Sequence, residues 1–199
     1  MVQECLAKNN LKILRGVSRC HLAKKKSKNF KGSRNASYFT GDKSMIQFCY
    51  ILDNYYTDYP DLVKILDIDD DSKHNVRTHL CLSITYLGNT ILIPLRKNLG
   101  SPVRPYGTIG FSVPSKSKPY AGLDYRYIMI VNDNKYLRYD TPRISRKQLQ
   151  IISDNYSTIE NEAIEYVNSY IRVAKKNRVE RTARFRESSL INFHSELKI

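Results

Sequence analysis

The feature that most constrains this chain is a pair of apolar stretches on either side of Gly88-Asn89. Glycine and asparagine both tolerate positive φ, so a chain can reverse tightly at this dipeptide. Residues 80–86 and 90–95 are rich in aliphatic and β-branched side chains, which suit a half-buried pleated surface. The pattern predicts a β-hairpin at the centre of the fold, with its first strand beginning near residue 76.

The second hairpin strand runs directly into two cations, Arg96 and Lys97. Pro94 lacks an N–H for a strand ladder, so it fits best near a strand end or edge. The apolar run therefore stops where the positive charges begin. This order predicts cations fixed at a sheet rim, which is a suitable place to hold a phosphate group.

Further strands are expected over 46–52, 108–113, 125–131 and 135–139. A short helix capped by Thr57 or Asp58 is expected over 59–66. These elements alternate irregularly along the chain, without the regular strand–helix repeat of a parallel sheet.

The C-terminal third of the domain carries a helix signal. Ser145 and Gln148 match a capping box, and apolar residues at three- and four-residue spacing continue to Tyr170, with an interruption expected near 154–155. The sequence thus predicts an α+β fold, in which a strongly bent antiparallel sheet is packed with helices and a long C-terminal helix.

Positive charge is concentrated at the two ends of the chain, whose 199 residues carry a formal net charge of +14. Residues 1–44 hold 11 basic and 2 acidic side chains, whereas residues 45–170 hold 14 of each. We therefore expect a basic, disordered extension over 1–44, a domain over 45–171 and a basic, partly helical tail over 172–199. Met45 is a candidate natural start, because organised sequence begins there.

Metal, disulfide and membrane functions find no support in the sequence. The four cysteines include no CxxC pair, and the four histidines stand at no metal-ligand spacing. Neither a metal nor another cofactor is expected, and Cys49 and Cys81 are expected to be buried thiols. No apolar run approaches the roughly 18 residues of a membrane span and no signal peptide is evident, so a cytoplasmic location is expected.

Hydrolase and nucleotide-binding motifs are also missing, which leaves a set of side chains rich in Arg, Lys, Tyr and Ser. Cations neutralise phosphates and aromatic rings stack on unpaired bases, so this composition suits nucleic acid. Carboxylates cluster in turns rather than in apolar strands, which argues against a paired-carboxylate hydrolase. The candidate RNA-binding residues are Ser101, Arg104, Tyr106, Lys116, Lys118, Tyr120, Arg126 and Lys147.

Four segments stand out by their order along the chain. They are Met45-Ile-Gln-Phe-Cys-Tyr50 with a short helix around Tyr59, the hairpin ending in Ile93-Pro-Leu-Arg-Lys97, the block from Gly122 to Asn132, and Ser145-Arg-Lys-Gln148 at a helix start. In these segments the chain resembles the toxins of type III toxin–antitoxin systems, the ToxN/AbiQ and TenpN/CptN kind, and it is nearest to the TenpN-like branch. The resemblance covers residues 45 to about 171, which is about two-thirds of the chain.

The resemblance implies a sequence-specific, metal-independent endoribonuclease. Such toxins process a small, repeat-derived, pseudoknot-like RNA antitoxin, are inhibited by it, and assemble with it into closed protein–RNA hetero-oligomers. Released toxin cuts cellular or phage mRNA, and many of these systems abort phage infection. In the implied reaction, an RNA 2′-OH attacks the adjacent phosphate and leaves a 2′,3′-cyclic phosphate.

The resemblance also assigns catalytic roles to Tyr59, Arg77, Arg96 and Lys97. Lys97 or Tyr59 would transfer protons, because arginine stays protonated and Arg96 can only bind charge. Arg77 would be a second phosphate clamp. The chain departs from the ToxN pattern, which has Thr-Ser and then a lysine two positions on, so the choice of proton donor stays open.

Two other functions stay open on the sequence. A non-catalytic RNA-binding protein of a mobile element would use the same cations and aromatic rings. A DNA-binding protein is the third possibility, although the sequence has no helix-turn-helix pattern with an exposed recognition face.

Overall fold

The predicted hairpin forms the middle of an antiparallel sheet. In a computed structural model of the protein, β3 (Leu80–Tyr86) and β4 (Asn89–Arg96) pair from one end to the other, with Cys81 opposite Pro94 near the rim. The structure describes residues 37–39, 45–66, 80–100 and 108–199. The strand start predicted near residue 76 lies outside these residues.

The turn of the hairpin lies one residue earlier than the sequence predicted. Leu87 and Gly88 form it, with φ of 53° and 77°, and Asn89 already belongs to β4. The buried Asn89 side chain donates to the Glu196 carbonyl at 3.0 Å and accepts from Asn132 Nδ2 at 2.9 Å. These bonds hold Asn89 in the ladder, so Leu87 takes the left-handed conformation instead.

Eight strands in the described part of the chain form one antiparallel sheet. In spatial order they are β1 (Ser37–Phe39), β2 (Met45–Ile51), β3, β4, β6 (Gly122–Asp124) and β5 (Gly110–Ser112). Off this path, β7 (Met129–Ile130) pairs with β4 and β8 (Leu137–Arg138) pairs with β2. At the rim, Arg96 of β4 lies opposite Gly122 of β6.

The described α-helices are α1 (Asp53–Asp58), α2 (Arg146–Asp154) and α3 (Tyr156–Ala174). The predicted capping box is confirmed, because Ser145 Oγ accepts from the Gln148 N–H and Gln148 Oε1 accepts from the Ser145 N–H. The predicted interruption is confirmed as well, since Asn155 separates α2 from α3. The apolar side of α3 contributes to the core with Ile159, Ala163, Tyr166, Val167 and Tyr170.

The short helix predicted over 59–66 is wrong, because the helix in this region is α1, which ends at Asp58. β2 ends where the Leu52 N–H donates to the Tyr136 carbonyl at 2.8 Å, and α1 begins at the next residue. Further along, Lys64 has a φ of 55°, which a right-handed helix does not allow.

Two predicted strands begin later than expected, because an aspartate caps a 3₁₀ turn before each of them. Before β7, residues Tyr125–Tyr127 form a 3₁₀ turn, and the Asp124 carboxylate accepts from the Arg126 N–H at 3.1 Å. Before β8, residues Asn134–Tyr136 form a second 3₁₀ turn, capped in the same way by Asp133. An aspartate that binds the amide two residues on favours a turn over a strand.

Parts of both predicted tails pack with the sheet. β1 lies within residues 1–44, where the sequence predicted disorder, and the rest of that range lies outside the described residues. The predicted C-terminal tail supplies core residues, namely Phe185, Leu190, Phe193 and Leu197. Short turns and the 3₁₀ helix Ser189–Phe193 carry these side chains, so no helical period revealed them in the sequence.

The predicted α+β class is confirmed by this sheet and its helices. Cys49 and Cys81 are buried thiols as predicted, and burial raises the pKa of Cys49 to about 12. Among the described residues, none of the helices has the length and apolar character that crossing a bilayer requires.

Candidate nucleic-acid interface

The rim of the sheet, meaning Arg96 and Lys97 at the end of β4, is organised around a fully buried carboxylate. This carboxylate is Asp124 of β6. Asp124 accepts from Arg96 Nη1 at 2.9 Å, from Arg126 Nη2 at 2.8 Å and from Arg126 Nε at 3.0 Å. A buried charge is costly without partners, so the Asp124 carboxylate requires both guanidiniums beside it. The cluster holds two cations and one anion, and its hydrogen bonds raise the pKa of Arg126.

The same guanidiniums lie over the Tyr127 ring. The Arg96 Cζ atom is 4.8 Å from the ring centroid and the Arg126 Cζ atom is 5.7 Å from it. Cations over an aromatic face are attracted by its quadrupole, so Tyr127 adds a second constraint on the direction of Arg96. Arg126 also donates to the Leu99 carbonyl at 3.1 Å, which fixes the chain just after the rim.

Lys97 follows this locked arginine and is exposed. Within the part of the chain that the structure describes, its ammonium group has no hydrogen-bond or ion-pair partner. Arg96 keeps 31% of its side chain accessible beside it. The sequence predicted cations at a sheet rim, and in the described structure the rim presents one positioned guanidinium beside one ammonium group that has no partner there.

Tyr120 connects the rim to a neighbouring loop. Its carbonyl accepts from the Leu99 N–H at 2.9 Å, and the next amide, Ala121 N–H, donates to the Lys118 carbonyl at 3.3 Å. Tyr120 is 64% exposed. The backbone is thus tied down on both sides, while the aromatic face stays in solvent.

Beyond Tyr120 lies an open groove with a volume of about 600 Å³, which we call the basic groove. One wall is the tight turn from Ser115 to Lys118, whose end residues exchange backbone hydrogen bonds at 3.0 and 3.1 Å. The other wall is formed by the three residues just before α2 and by Gln148 in its first turn. The lining residues are Ser115, Lys116, Ser117, Lys118, Arg143, Ile144, Ser145 and Gln148, and no carboxylate is among them.

The four predicted catalytic residues are only partly brought together. Arg96 and Lys97 share the rim, whereas Tyr59 lies after α1 with its ring centroid 4.8 Å from that of Tyr55 and 5.8 Å from that of Tyr136. Tyr59 is 48% exposed, and no hydrogen bond, ion pair or ring contact in the described regions joins it to the rim. Arg77 lies outside the described residues.

The predicted RNA-binding residues divide into three groups. Lys116, Lys118 and Tyr120 lie in or beside the basic groove, and Lys147 is exposed in the first turn of α2. Arg126 is bound to Asp124 and the Leu99 carbonyl, so it positions the rim. The other three, Ser101, Arg104 and Tyr106, lie outside the described residues.

Sequence reasoning missed three residues of this interface: Asp124, Tyr127 and Arg143. The expectation that carboxylates avoid the apolar strands is wrong for Asp124, which is fully buried in β6. A lone aspartate inside an apolar block, two residues before an arginine, was the available signal. Arg143 carried a weaker signal, as a cation just before a helix cap.

Neither a metal site nor a related protein accompanies this geometry in the described residues. In the described ranges, no group of three or more His, Cys, Asp or Glu side chains is placed to hold a metal ion. When the chain was compared with protein-family models, curated proteins and solved structures, no match was found in any of the three.

Proposed function

We propose that this protein is a sequence-specific, metal-independent endoribonuclease, the toxin of a type III toxin–antitoxin system. The observation that carries the proposal is the rim at Arg96 and Lys97. There an exposed ammonium group with no partner in the described structure follows a guanidinium held by buried Asp124. The order of the four resembling segments supports the same proposal.

In the proposed reaction, a 2′-OH attacks the adjacent phosphate and leaves a 2′,3′-cyclic phosphate and a 5′-OH. Such a step requires proton transfer and cations where negative charge develops. Arg96 binds the phosphate, because a guanidinium cannot act as a base and has N–H donors beyond the one given to Asp124. Lys97 is the first candidate for proton transfer.

Tyr59 and Arg77 stay in the proposal with smaller roles. Tyr59 is the alternative proton donor, and its participation requires that the bound RNA and the aromatic cluster around Tyr55 bring its hydroxyl to the scissile phosphate. Arg77 is the proposed second phosphate clamp.

The proposed partners follow from the same family. A small repeat-derived RNA antitoxin inhibits the protein in a closed protein–RNA hetero-oligomer, the substrate is cellular or phage mRNA, and the setting is the cytoplasm. The proposed consequence of release is abortive infection, which makes phage defence the proposed role. The charge of the whole chain, +14, suits such polyanionic partners.

We also infer a strongly bent sheet with a long helix packed on it. The support for bending is the connection between β7 and β8. β7 pairs with the edge of β4 that faces away from β3, whereas β8 pairs with the corresponding edge of β2, and only residues 131–136 join them. The 19 residues of α3 support the helical part.

A non-catalytic RNA-binding protein is the second candidate function. The basic groove favours it, because three cations without a carboxylate bind phosphates but need no chemistry. Under this alternative, the exposed Lys97 would be one more phosphate contact.

Growth on inducible expression tests the proposal. We expect the wild type and Lys176→Ala, which removes an exposed lysine after α3, to arrest growth. Lys97→Ala is expected to leave growth nearly normal at equal protein levels. A harmless wild type, or full toxicity of Lys97→Ala, would contradict the proposal.

A further inference from the structure

The basic groove concentrates three cations, and no carboxylate is among the residues that line it. Lys64, Lys135 and Arg172 each form an ion pair with a carboxylate elsewhere in the structure. By contrast, within the described residues the side chains of Lys116, Lys118 and Arg143 make no ion pair. Three cations on one concave surface create a positive potential that attracts a polyanion.

The walls of the groove are already tied together by hydrogen bonds. The buried Gln148 side chain of α2 donates to the Val113 carbonyl at 2.9 Å, two residues before the turn that begins at Ser115. The Arg143 N–H donates to the Tyr50 hydroxyl at 3.4 Å. These bonds use backbone groups and the Gln148 side chain, and none of them involves the side-chain charges of Lys116, Lys118 or Arg143. A ligand therefore meets a groove whose shape is largely formed before binding, which lowers the entropic cost of binding.

Tyr120 supplies a different kind of contact next to these cations. It lies two residues after Lys118, so the two Cα atoms are at most about 7 Å apart. Tyr120 is exposed, and its backbone carbonyl is held by the Leu99 N–H. Proteins that bind single-stranded nucleic acid combine such a cationic groove for the backbone with an aromatic face for a base. In a duplex, the base faces are already stacked and not available to a tyrosine.

We propose that the basic groove holds a backbone phosphate of single-stranded RNA while Tyr120 stacks on a neighbouring unpaired base. This subsite binds and selects the strand, and it is distinct from the rim residues that break the bond. The inference deepens the proposed function and rests on it for the identity of the polyanion as RNA.

Binding can be measured without cleavage, which separates this inference from the nuclease proposal. The probe is a fluorescein-labelled 2′-O-methyl RNA of about twelve nucleotides, within the usual range of site sizes. It lacks the 2′-OH nucleophile, so the full-length protein cannot cut it by the proposed route. Fluorescence anisotropy gives the affinity over a range of salt concentrations, for the single strand and for its duplex.

The phosphate contact predicts a change in salt dependence. Each cation that neutralises a phosphate of a single strand contributes about 0.7 to the slope of log K against log salt concentration. We expect Arg143→Ala and Lys116→Ala each to reduce the slope by about that amount. The matched controls are Arg181→Ala and Lys176→Ala, which remove exposed cations of the same kinds outside the groove and leave the slope nearly unchanged.

The stacking contact predicts a change in affinity with the salt slope kept. Tyr120→Ala is expected to weaken binding of the single strand roughly 5- to 150-fold, whereas Tyr120→Phe keeps the ring and most of the affinity. Duplex binding should be nearly equal for all three proteins.

Three outcomes would overturn the inference. The first is that groove and control variants lower the salt slope equally, which means diffuse attraction without a site. The second is that Tyr120→Ala leaves single-strand affinity unchanged, and the third is that it weakens duplex binding as strongly. If the wild type shows the expected binding but does not cleave ordinary RNA, only the nuclease proposal is contradicted.

Discussion

At the scale of single residues, Asp124 has the strongest influence on the rim. Its carboxylate is fully buried, and both guanidiniums that neutralise it also lie against Tyr127. Because Asp124 fixes Arg96, the residue after it, Lys97, leaves the strand in a defined direction. The position of the exposed Lys97 ammonium group thus depends on a residue that is fully buried.

Asp124→Asn tests this dependence, because it removes the charge and keeps the shape. We expect the free energy of unfolding to fall by roughly 2–4 kcal/mol, since two partly buried guanidiniums lose their counter-ion. Urea denaturation of the two proteins measures the change. Asp133→Asn is the control, because Asp133 also caps a 3₁₀ turn but its ion pair with Lys135 is exposed. Equal losses for both variants would mean that the buried cluster is not special.

At the scale of elements, the rim depends on the close approach of β4, β5 and β6. A Cβ atom on Gly122 would collide with Leu99 Cδ1 and with the Phe111 carbonyl oxygen. Gly122 faces Arg96 on one side and Ser112 on the other, so no backbone shift is possible without moving the rim. A glycine here allows the three strands to pack with Leu99 folded over them.

Gly122→Ala is therefore expected to destabilise the protein by roughly 1–3 kcal/mol through overpacking. Thermal unfolding followed by circular dichroism gives the comparison with the wild type. Ser112→Ala, at the exposed ladder position opposite Gly122, should change the stability by less than about 0.5 kcal/mol. A wild-type melting temperature for Gly122→Ala would show that the strands have room to separate.

The start of α2 supplies a second test at this scale, because both hydrogen bonds of its capping box are present. Ser145→Ala removes the acceptor for the Gln148 N–H, and we expect a loss of about 1 kcal/mol in chemical denaturation. Ser157→Ala, an exposed change in the first turn of α3, should be neutral or slightly stabilising. The capping explanation fails if the two variants unfold at the same denaturant concentration.

The elements that the sequence predicted well carry local signals. The hairpin and the capping box each depend on residues close together in the chain, so their patterns are visible without the fold. The one-residue shift of the turn came from Asn132 and Glu196, which are distant in sequence from Asn89. The rim cations were predicted for the same local reason, whereas the role of Asp124 depends on a strand pairing that no local pattern encodes.

At the scale of the whole molecule, several tyrosines lie in the core. Tyr125, Tyr166 and Tyr170 are fully buried, and burial raises the pKa of each. The rings of Tyr166 and Tyr170 pack with Phe185, which lies in the segment that the sequence predicted to be a tail, and the Tyr125 ring packs with Tyr166. The sequence placed the domain boundary at residue 171 because the core residues after it have no periodic spacing. Nothing in the local pattern showed that the core continues beyond that residue.

These tyrosines predict a loss of stability at high pH. Burial raises the pKa of Tyr166 from its ordinary value of 10.0 to about 12, so the folded state keeps a proton that the unfolded state loses. The stabilisation is complete below pH 10 and disappears as the pH rises to about 12. For this residue, the free energy of unfolding falls by on the order of 2–3 kcal/mol over that range. Tyrosinate absorbance and circular dichroism, recorded together, should show the buried tyrosines ionising only as the chain unfolds. Ionisation of every tyrosine near pH 10 in a folded protein would contradict this account.

The central claim, that the rim at Lys97 cuts RNA, is tested most directly by single-turnover cleavage of an mRNA by the purified protein in excess EDTA. We predict products with 5′-OH and 2′,3′-cyclic phosphate ends from the wild type and from Lys176→Ala. The rate for Lys97→Ala should be at least about 100-fold lower, the usual size of a lost general acid or base. Equal rates for Lys97→Ala and the wild type, or the absence of these product ends, would contradict the claim.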